Sequence, residues 1–312
     1  MSGVWIYSEN AAIAAQLVAP ARELAGSGHS VCAVVLDQQA AEGLLTYDLH
    51  TIYKLAGDAS WPESYATGIA GLADKEKPDI VLIGGTLRGK DLAAKVAAKL
   101  GAGLVSDAFA VRRSGDGIET DRLMYGGLAV CTEVTLPTAL VTIPPHCFEA
   151  PATAPALAPK IMEVQVQTDG SIQVGAVCPI ERQGADISCA DKIVSIGRGI
   201  ARQADVELAR QLAEALGAEL GCTRGIAEDY HWLPVERYIG LSGQKVKPSL
   251  YLSLGISGQV QHVAGIRDSK IIVAVDKNED APIFAAADYG IVGDLYEVAP
   301  LLAQAITNAK AK

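Results

Sequence analysis

The 312-residue chain has no apolar run near the ~18 residues that a membrane-crossing helix requires, so a membrane span is not expected. It has no basic excess: 26 Lys and Arg stand against 36 Asp and Glu, a net charge of −10, which argues against a nucleic-acid partner. Local clusters of donors could still hold an anionic ligand. Among the six cysteines (Cys32, Cys131, Cys147, Cys178, Cys189 and Cys222) there is no C-x-x-C pair. Four of them sit among small apolar neighbours, where a free buried thiol is expected. The five histidines have no zinc spacing, so no metal site is expected. The start, MSGVWIYSEN, has neither a basic n-region nor an apolar h-region and reads as the beginning of a fold. With the cysteine usage this predicts a cytoplasmic protein.

What is present is a two-domain α/β pattern. Half the residues are hydrophobic and 20% are charged, which excludes disorder. At about 150 residues per domain the length favours two domains. In the first half, Val4–Tyr7, Val31–Leu36 and Ile80–Gly85 read as buried strands. Helical patterns over Ala11–Ala25, Glu63–Ala73 and Asp91–Leu100 alternate with them, the mark of a parallel sheet covered on both faces. From Ala110 the pieces become short and β-rich, with a turn at Ser114–Gly117. Prolines 144, 145, 151, 155 and 159 then form an extended connector. Ile161–Gln167 reads as a strand returning to the first sheet. The domain boundary is placed near Ala190, giving an N-terminal α/β domain over 1–189 and a second over 190–312. The second domain's expected strands are Ile193–Ile196, Glu219–Cys222, Tyr238–Leu241, Leu250–Leu254, Ile271–Val275 and Tyr289–Val292, with helices Asp205–Leu216 and Ala299–Ala309.

Two glycine-rich motifs compete for attention. Gly84–Lys90 (GGTLRGK) fits G-x-x-x-x-G-K between a strand and a helix, where a P-loop belongs. The next residue is Asp91, where Ser or Thr should hold magnesium, so Asp91 reads as an acidic residue in a helix's first turn. Arg88 and Lys90 are expected to line an interface or a loop. Gly197–Arg202 (GRGIAR) follows a strand and approximates G-x-G-x-x-G with arginine in place of the third glycine. This second motif has company: Thr223 and Arg224, Ser242, Ser257 to His262, Asp276 and Asp294 all follow strands. If the strands are parallel, these groups converge on one sheet edge, as a long phosphate-bearing ligand would require.

The run Leu250–Asp294, containing GISGQVQH and ADYGIVGD, resembles the α subunit of electron transfer flavoproteins, as do SIGRGI at 195–200 and CTRG at 222–225. RGKDLAAKVAAKLGAGLVSDA and MYGGLA in the first half look most like the Fix branch, known from carnitine reduction and nitrogen fixation. The resemblance implies a C-terminal, Rossmann-like parallel-sheet domain that holds FAD and pivots on its linker, and a β subunit packed mainly on the first domain. It assigns Arg198 to the extended cofactor, Thr223 to the diphosphate, Arg224 to the isoalloxazine face and Ser242 to flavin N5. Ser257, Gly258, Gln259, Val260, Gln261 and His262 form the family loop, with the histidine at the pyrimidine end, and Asp294 lies near the adenosine. Leu241 stands where glutamine is common, and Asp276 where asparagine is usual. A guanidinium and an imidazole near N1 and C2=O would favour the negatively charged reduced flavin. The implied role is an electron carrier rather than a stand-alone enzyme. It would pass electrons from a dehydrogenase or reduced donor to an acceptor, a CoA-linked reductase among the candidates. A P-loop NTPase, an NAD-dependent dehydrogenase and a nucleotide-sensing scaffold are the alternatives; Asp91 and Arg202 count against the two enzymes.

Overall fold

The computed structural model describes residues 3–59, 61–152, 159–171, 174–176, 178 and 186–310; Pro155 of the connector lies outside the described residues. The chain divides into two compact units, Met1–Val177 and Cys178–Lys312. Ile187, ten residues past Val177, packs into the core of the second unit with Ile193, Ile239 and Tyr251.

The first unit is a seven-stranded parallel sheet. Its strands are β1 (Gly3–Tyr7), β2 (Ser30–Val35), β3 (Thr51–Ala56), β4 (Ile80–Gly84), β5 (Gly103–Val105), β9 (Ala139–Ile143) and β10 (Lys160–Gln165), in the order β10-β3-β2-β1-β4-β9-β5. Continuous apolar strands such as GVWIY and IVLIG suit a sheet buried on both faces. Val4 and Ile6 pack one face under α1 (Ala11–Gln16), α2 (Val18–Ala25) and α3 (Gln38–Leu44). Trp5 and Tyr7 pack the other under α4 (Ala66–Glu76) and α5 (Leu87–Leu100). The expected single helix over Ala11–Ala25 is broken at Leu17, and β10 returns to the sheet edge beside β3 in parallel register. Three antiparallel strands, β6 (Ala108–Ser114), β7 (Gly117–Met124) and β8 (Ala129–Thr135), form a separate small sheet.

The P-loop lookalike is closed by its own side chains. Helix α5 starts at Leu87, capped by Thr86, whose Oγ1 accepts the Gly89 N–H at 2.9 Å. Asp91 therefore lies beyond the first turn and pairs with Lys95 one turn on, at 2.8 Å, a correction to the sequence reading. At the crevice between β1 and β4 the Thr86 hydroxyl donates to Glu9 Oε1 at 2.5 Å. Lys90 pairs with Asp107 at 2.7 Å, and Arg88 stacks 3.7 Å from the centre of the Trp61 ring.

The second unit is a five-stranded parallel sheet of β11 (Lys192–Ile196), β12 (Glu219–Cys222), β13 (Leu250–Leu254), β14 (Ile272–Asp276) and β15 (Tyr289–Val292), in the order β12-β11-β13-β14-β15. Helices α6 (Val206–Leu216) and α9 (Leu295–Lys310) cover one face, while α7 (Val260–Ile266) and α8 (Ile283–Ala286) pack on the other. The anticipated strand Tyr238–Leu241 is not one. It makes only isolated bridges, Cys222 to Tyr238 and Ile239 to Gln244, because the chain folds back on itself at Gly240 and Gly243. Gln244 N–H donates to Tyr238 O at 2.8 Å and Gly240 N–H to Gln244 O at 3.1 Å, which uses the groups a sheet ladder would need.

Of the six free cysteines, Cys32 and Cys222 are buried, but Cys131 is only partly so and Cys178 is exposed, contrary to the expectation for small apolar surroundings. No helix among the described residues is long and apolar enough to cross a membrane, and these residues contain no cluster of metal-ligating side chains.

Candidate functional site

Strand order places the site in the second unit. From β11 the chain moves to β12 on one side and later to β13 on the other, so the loops after β11 and β13 part at a topological switch point. Glycines let these loops meet backbone to backbone. A Cβ on Gly199 would lie 2.6 Å from the Gly255 Cα, and one on Gly197 would lie 2.4 Å from the Gly255 O. Gly199 N–H donates to Gly255 O at 3.0 Å, which seals the contact.

Above this floor lies a cleft of about 860 Å³, lined by the ends of all five strands. Four steps between parallel neighbours, at about 4.8 Å each, make its run roughly 19 Å. Arg198, Thr223, Arg224, Leu241, Ser242, Ser257, Gly258, Gln259, Gln261, His262, Asp276 and Asp294 all face it. Val260 does not; it opens helix α7 and is 40% exposed outside the lining.

Each lining group has a local reason for its place. Gly258 takes φ +84°, and a Cβ there would meet the Ile283 N at 2.3 Å, so the loop turns tightly over the start of α8. Among the described residues, the Ser257, Gly258 and Gln259 N–H groups have no backbone acceptor, a row of donors beside the Arg198 side chain's cleft. Arg198 is exposed, and its aliphatic stem lies against Gly225. Arg224 begins a five-residue wide turn, Gly225–Asp229, and its Nε donates to Glu228 Oε2 at 2.6 Å. The Leu241 N–H donates to Gln261 O at 2.7 Å, which ties the folded-back segment to the α7 loop. Ser242 Oγ shares a hydrogen bond with the Tyr238 hydroxyl at 3.0 Å.

Asp276 and Asp294 are both tied to backbone N–H groups. Asp276 Oδ1 accepts the Asn278 N–H at 2.9 Å, leaving its other oxygen free of that turn. Asp294 caps α9: its Oδ1 accepts the Tyr296 N–H and its carbonyl accepts from Glu297 and Val298.

His262 differs from what its resemblance implied electrostatically. It is 7% exposed, and both ring nitrogens are taken: Nδ1 lies 3.0 Å from the Ile239 carbonyl and Nε2 2.8 Å from the Tyr251 hydroxyl. Burial pushes its pKa down to about 4, so at neutral pH the imidazole is uncharged. The positive charge at the cleft comes from Arg198, Arg224 and Lys277.

Several lining residues had no individual signal in the sequence. Tyr296 accepts the Ala201 N–H at 2.8 Å and donates to Asp205 at 2.9 Å, pinning the glycine loop to α9 and α6. As an aromatic near a helix start it reads only as core. Asp229, Tyr238, Ile239 and Lys277 also line the cleft; their one clue was adjacency to a strand end or to Arg224.

A long cleft across a parallel sheet, a glycine contact at the switch point and a row of free amides define a dinucleotide-binding α/β protein. Residues 4–169 match the electron transfer flavoprotein domain, and residues 186–267 match the electron transfer flavoprotein FAD-binding domain. The chain belongs to the electron transfer flavoprotein α-subunit family; its cofactor is FAD and its role is electron transfer. It is 38% identical over 315 aligned residues to YdiR of Escherichia coli K12, which is named as an electron transfer flavoprotein subunit; the match covers 97% of each chain. Protein FixB from E. coli O1:K1 is 36% identical, covering 98% of this chain and 99% of its own, and FixB from strain O157:H7 matches at the same identity and coverage.

Proposed function

We propose that this chain is the FAD-carrying α subunit of a heterodimeric electron carrier, with FAD lying along the five-strand edge. The observation that carries this reading is the convergence of residues from all five strand ends on one cleft floored by the Gly199–Gly255 contact. The free amides of Ser257 to Gln259, with Thr223 and Arg198, have the donor set that a diphosphate needs. Arg224 and Ser242 stand together at the β12 side, where the isoalloxazine would lie, and Asp294 stands at the β15 side, suited to a ribose hydroxyl. Leu241 offers an apolar wall, and Asp276, beside Lys277, suits a hydroxyl better than a phosphate.

FAD supplies the redox chemistry by taking up and releasing electrons. The chain's residues bind it, orient it and set the charge around it. Its partners on this reading are a β subunit, a dehydrogenase or reduced donor, and an acceptor such as a CoA-linked reductase. Full-length similarity to a protein named as an electron transfer flavoprotein subunit supports the carrier reading. The free thiols suit a cytoplasmic setting.

The test is the visible spectrum of the chain co-produced with its β subunit, alongside an Arg198→Ala variant. Stoichiometric FAD in the parent, with loss or marked weakening in the variant, is the expected result. A colourless complex after incubation with FAD, or retention unaffected by the substitution, would overturn the proposed site.

A further inference from the structure

We propose that Tyr251 is a positioning residue for the FAD site: its hydroxyl holds His262 as a single neutral tautomer, protonated on Nδ1, and fixes the imidazole in the cleft wall. This rests on the FAD placement above and adds to it a residue that never reaches the cleft.

The proton assignments follow from the partners. The Ile239 carbonyl has no proton to give, so the 3.0 Å contact requires a proton on His262 Nδ1. A neutral ring protonated there has a bare Nε2, which must accept, and the Tyr251 hydroxyl stands 2.8 Å away to donate. Tyr251 is fully buried, and that burial pushes its pKa far above the ordinary phenol range, so the hydroxyl keeps its proton. Burial likewise disfavours a second proton on the imidazole.

The surroundings show why the ring is held from behind. Tyr251 sits on β13, His262 on α7 and Ile239 in the folded-back segment, so one imidazole joins three elements. Beneath Tyr251, Ser195 and Ser253 are register partners on β11 and β13 with buried hydroxyls, and the Ser195 hydroxyl acts on the Tyr251 phenol, partly offsetting its burial. This leaves a polar floor under the phenol oxygen, inside an otherwise apolar cluster of Ile193, Ile239, Ile266 and Ala274. The segment that supplies Ile239 continues into Leu241 and Ser242, and the loop that precedes His262 contains Ser257 to Gln261. The Tyr251–His262–Ile239 chain therefore holds two walls of the cleft in fixed relation. It also leaves the cleft without an N–H donor or a charge from this histidine.

The decisive measurement is nitrogen NMR on the heterodimer co-produced with its β subunit and labelled with 15N-histidine, with the His262→Gln variant identifying the signal. The expected result is one neutral tautomer at pH 7.5, protonated on Nδ1 and bare on Nε2. In Tyr251→Phe, which keeps the ring and removes only the donor, the Nε2 signal should move toward exchange between tautomers. The FAD midpoint potential should rise, because a freed imidazole can take up a proton beside the reduced cofactor.

A wild-type ring protonated on Nε2, or on both nitrogens, would overturn the proposal. So would a Tyr251→Phe protein with unchanged nitrogen signals and unchanged potential. Should Tyr251→Phe fail to fold, the wild-type pattern alone decides. A preparation without flavin counts against the FAD placement, while the nitrogen pattern still decides the tautomer.

Discussion

Gly199→Ala tests the floor of the cleft with a single methyl group. The added Cβ would stand 2.6 Å from the Gly255 Cα and 3.0 Å from its carbonyl oxygen, against the 3.4 Å at which ordinary contact begins. The two backbones must therefore separate by 3.4 − 2.6 = 0.8 Å at the closest pair. No flexible side-chain end can yield, because the nearest atoms all belong to the Gly255 backbone. Overpacking of this kind costs about 1–3 kcal/mol. If half or more of that strain is relieved by opening the switch point, the Gly199 N–H to Gly255 O bond is lost as well, and with it the geometry of both loops. A full 1–3 kcal/mol expressed in binding corresponds to roughly a 5- to 150-fold weaker hold on FAD. The assay is FAD retention on a desalting column followed by fluorescence titration of the stripped complex, with thermal melting in parallel. Gly71→Ala is the control, since a Cβ there meets nothing within 4 Å in helix α4. It should leave FAD affinity unchanged and stability equal or slightly higher. A Gly199→Ala protein with parental FAD affinity and melting temperature would refute the claim that the glycine contact builds the cleft.

Three further outcomes are expected. Arg224→Ala should lower the FAD midpoint potential and Glu228→Gln should raise it, because the carboxylate offsets the guanidinium; dye-equilibrated reductive titration reads both signs. His262 titrates near 6.5 when unfolded and about 4 when folded, so the unfolded state binds more protons between those values and its share of stability, up to about 3 kcal/mol, is complete above pH 6.5 and lost as pH falls toward 4. Urea unfolding across that range should show a steeper fall for the parent than for His262→Gln. Cys178 and Cys189 should react with a thiol reagent at pH 8 in the native protein, while Cys32 and Cys222 wait for unfolding, since both are buried and the Cys222 thiol is pushed up to about 12; mass spectrometry after brief labelling counts them.

The parts of the fold written in local pattern could be read directly. Glu219–Cys222, Leu250–Leu254 and Tyr289–Val292 are strands with the anticipated ends, because each is a short apolar run stopped by a residue that turns or bonds. Their shared direction then brought twelve of the thirteen anticipated lining residues to one cleft. Tyr238–Leu241 has the same apolar look but spends its backbone groups on Gln244, a pairing that composition does not reveal. Helix α5 began four residues before its apolar stripe because Thr86 caps it, which moved Asp91 out of the first turn. Strand β3 went unread because Lys54 interrupts its pattern; its charge is met by Glu163 on the neighbouring β10, a hundred residues away in sequence. The Tyr251–His262 pair was hidden for a similar reason. Periodicity marks Tyr251 as inward-facing, but only the packing of α7 on β13 shows what its hydroxyl meets.

The Glu9–Thr86 hydrogen bond gives the first unit a different fate from the second. Both sheets part their loops at a switch point, yet at the first the vacancy between β1 and β4 is claimed by a carboxylate from the same chain. A tethered competitor is never diluted, and it carries the same sign as a phosphate, so it repels an incoming nucleotide as well as holding its place. The first unit thus fills with one carboxylate the kind of crevice that glycines leave open in the second.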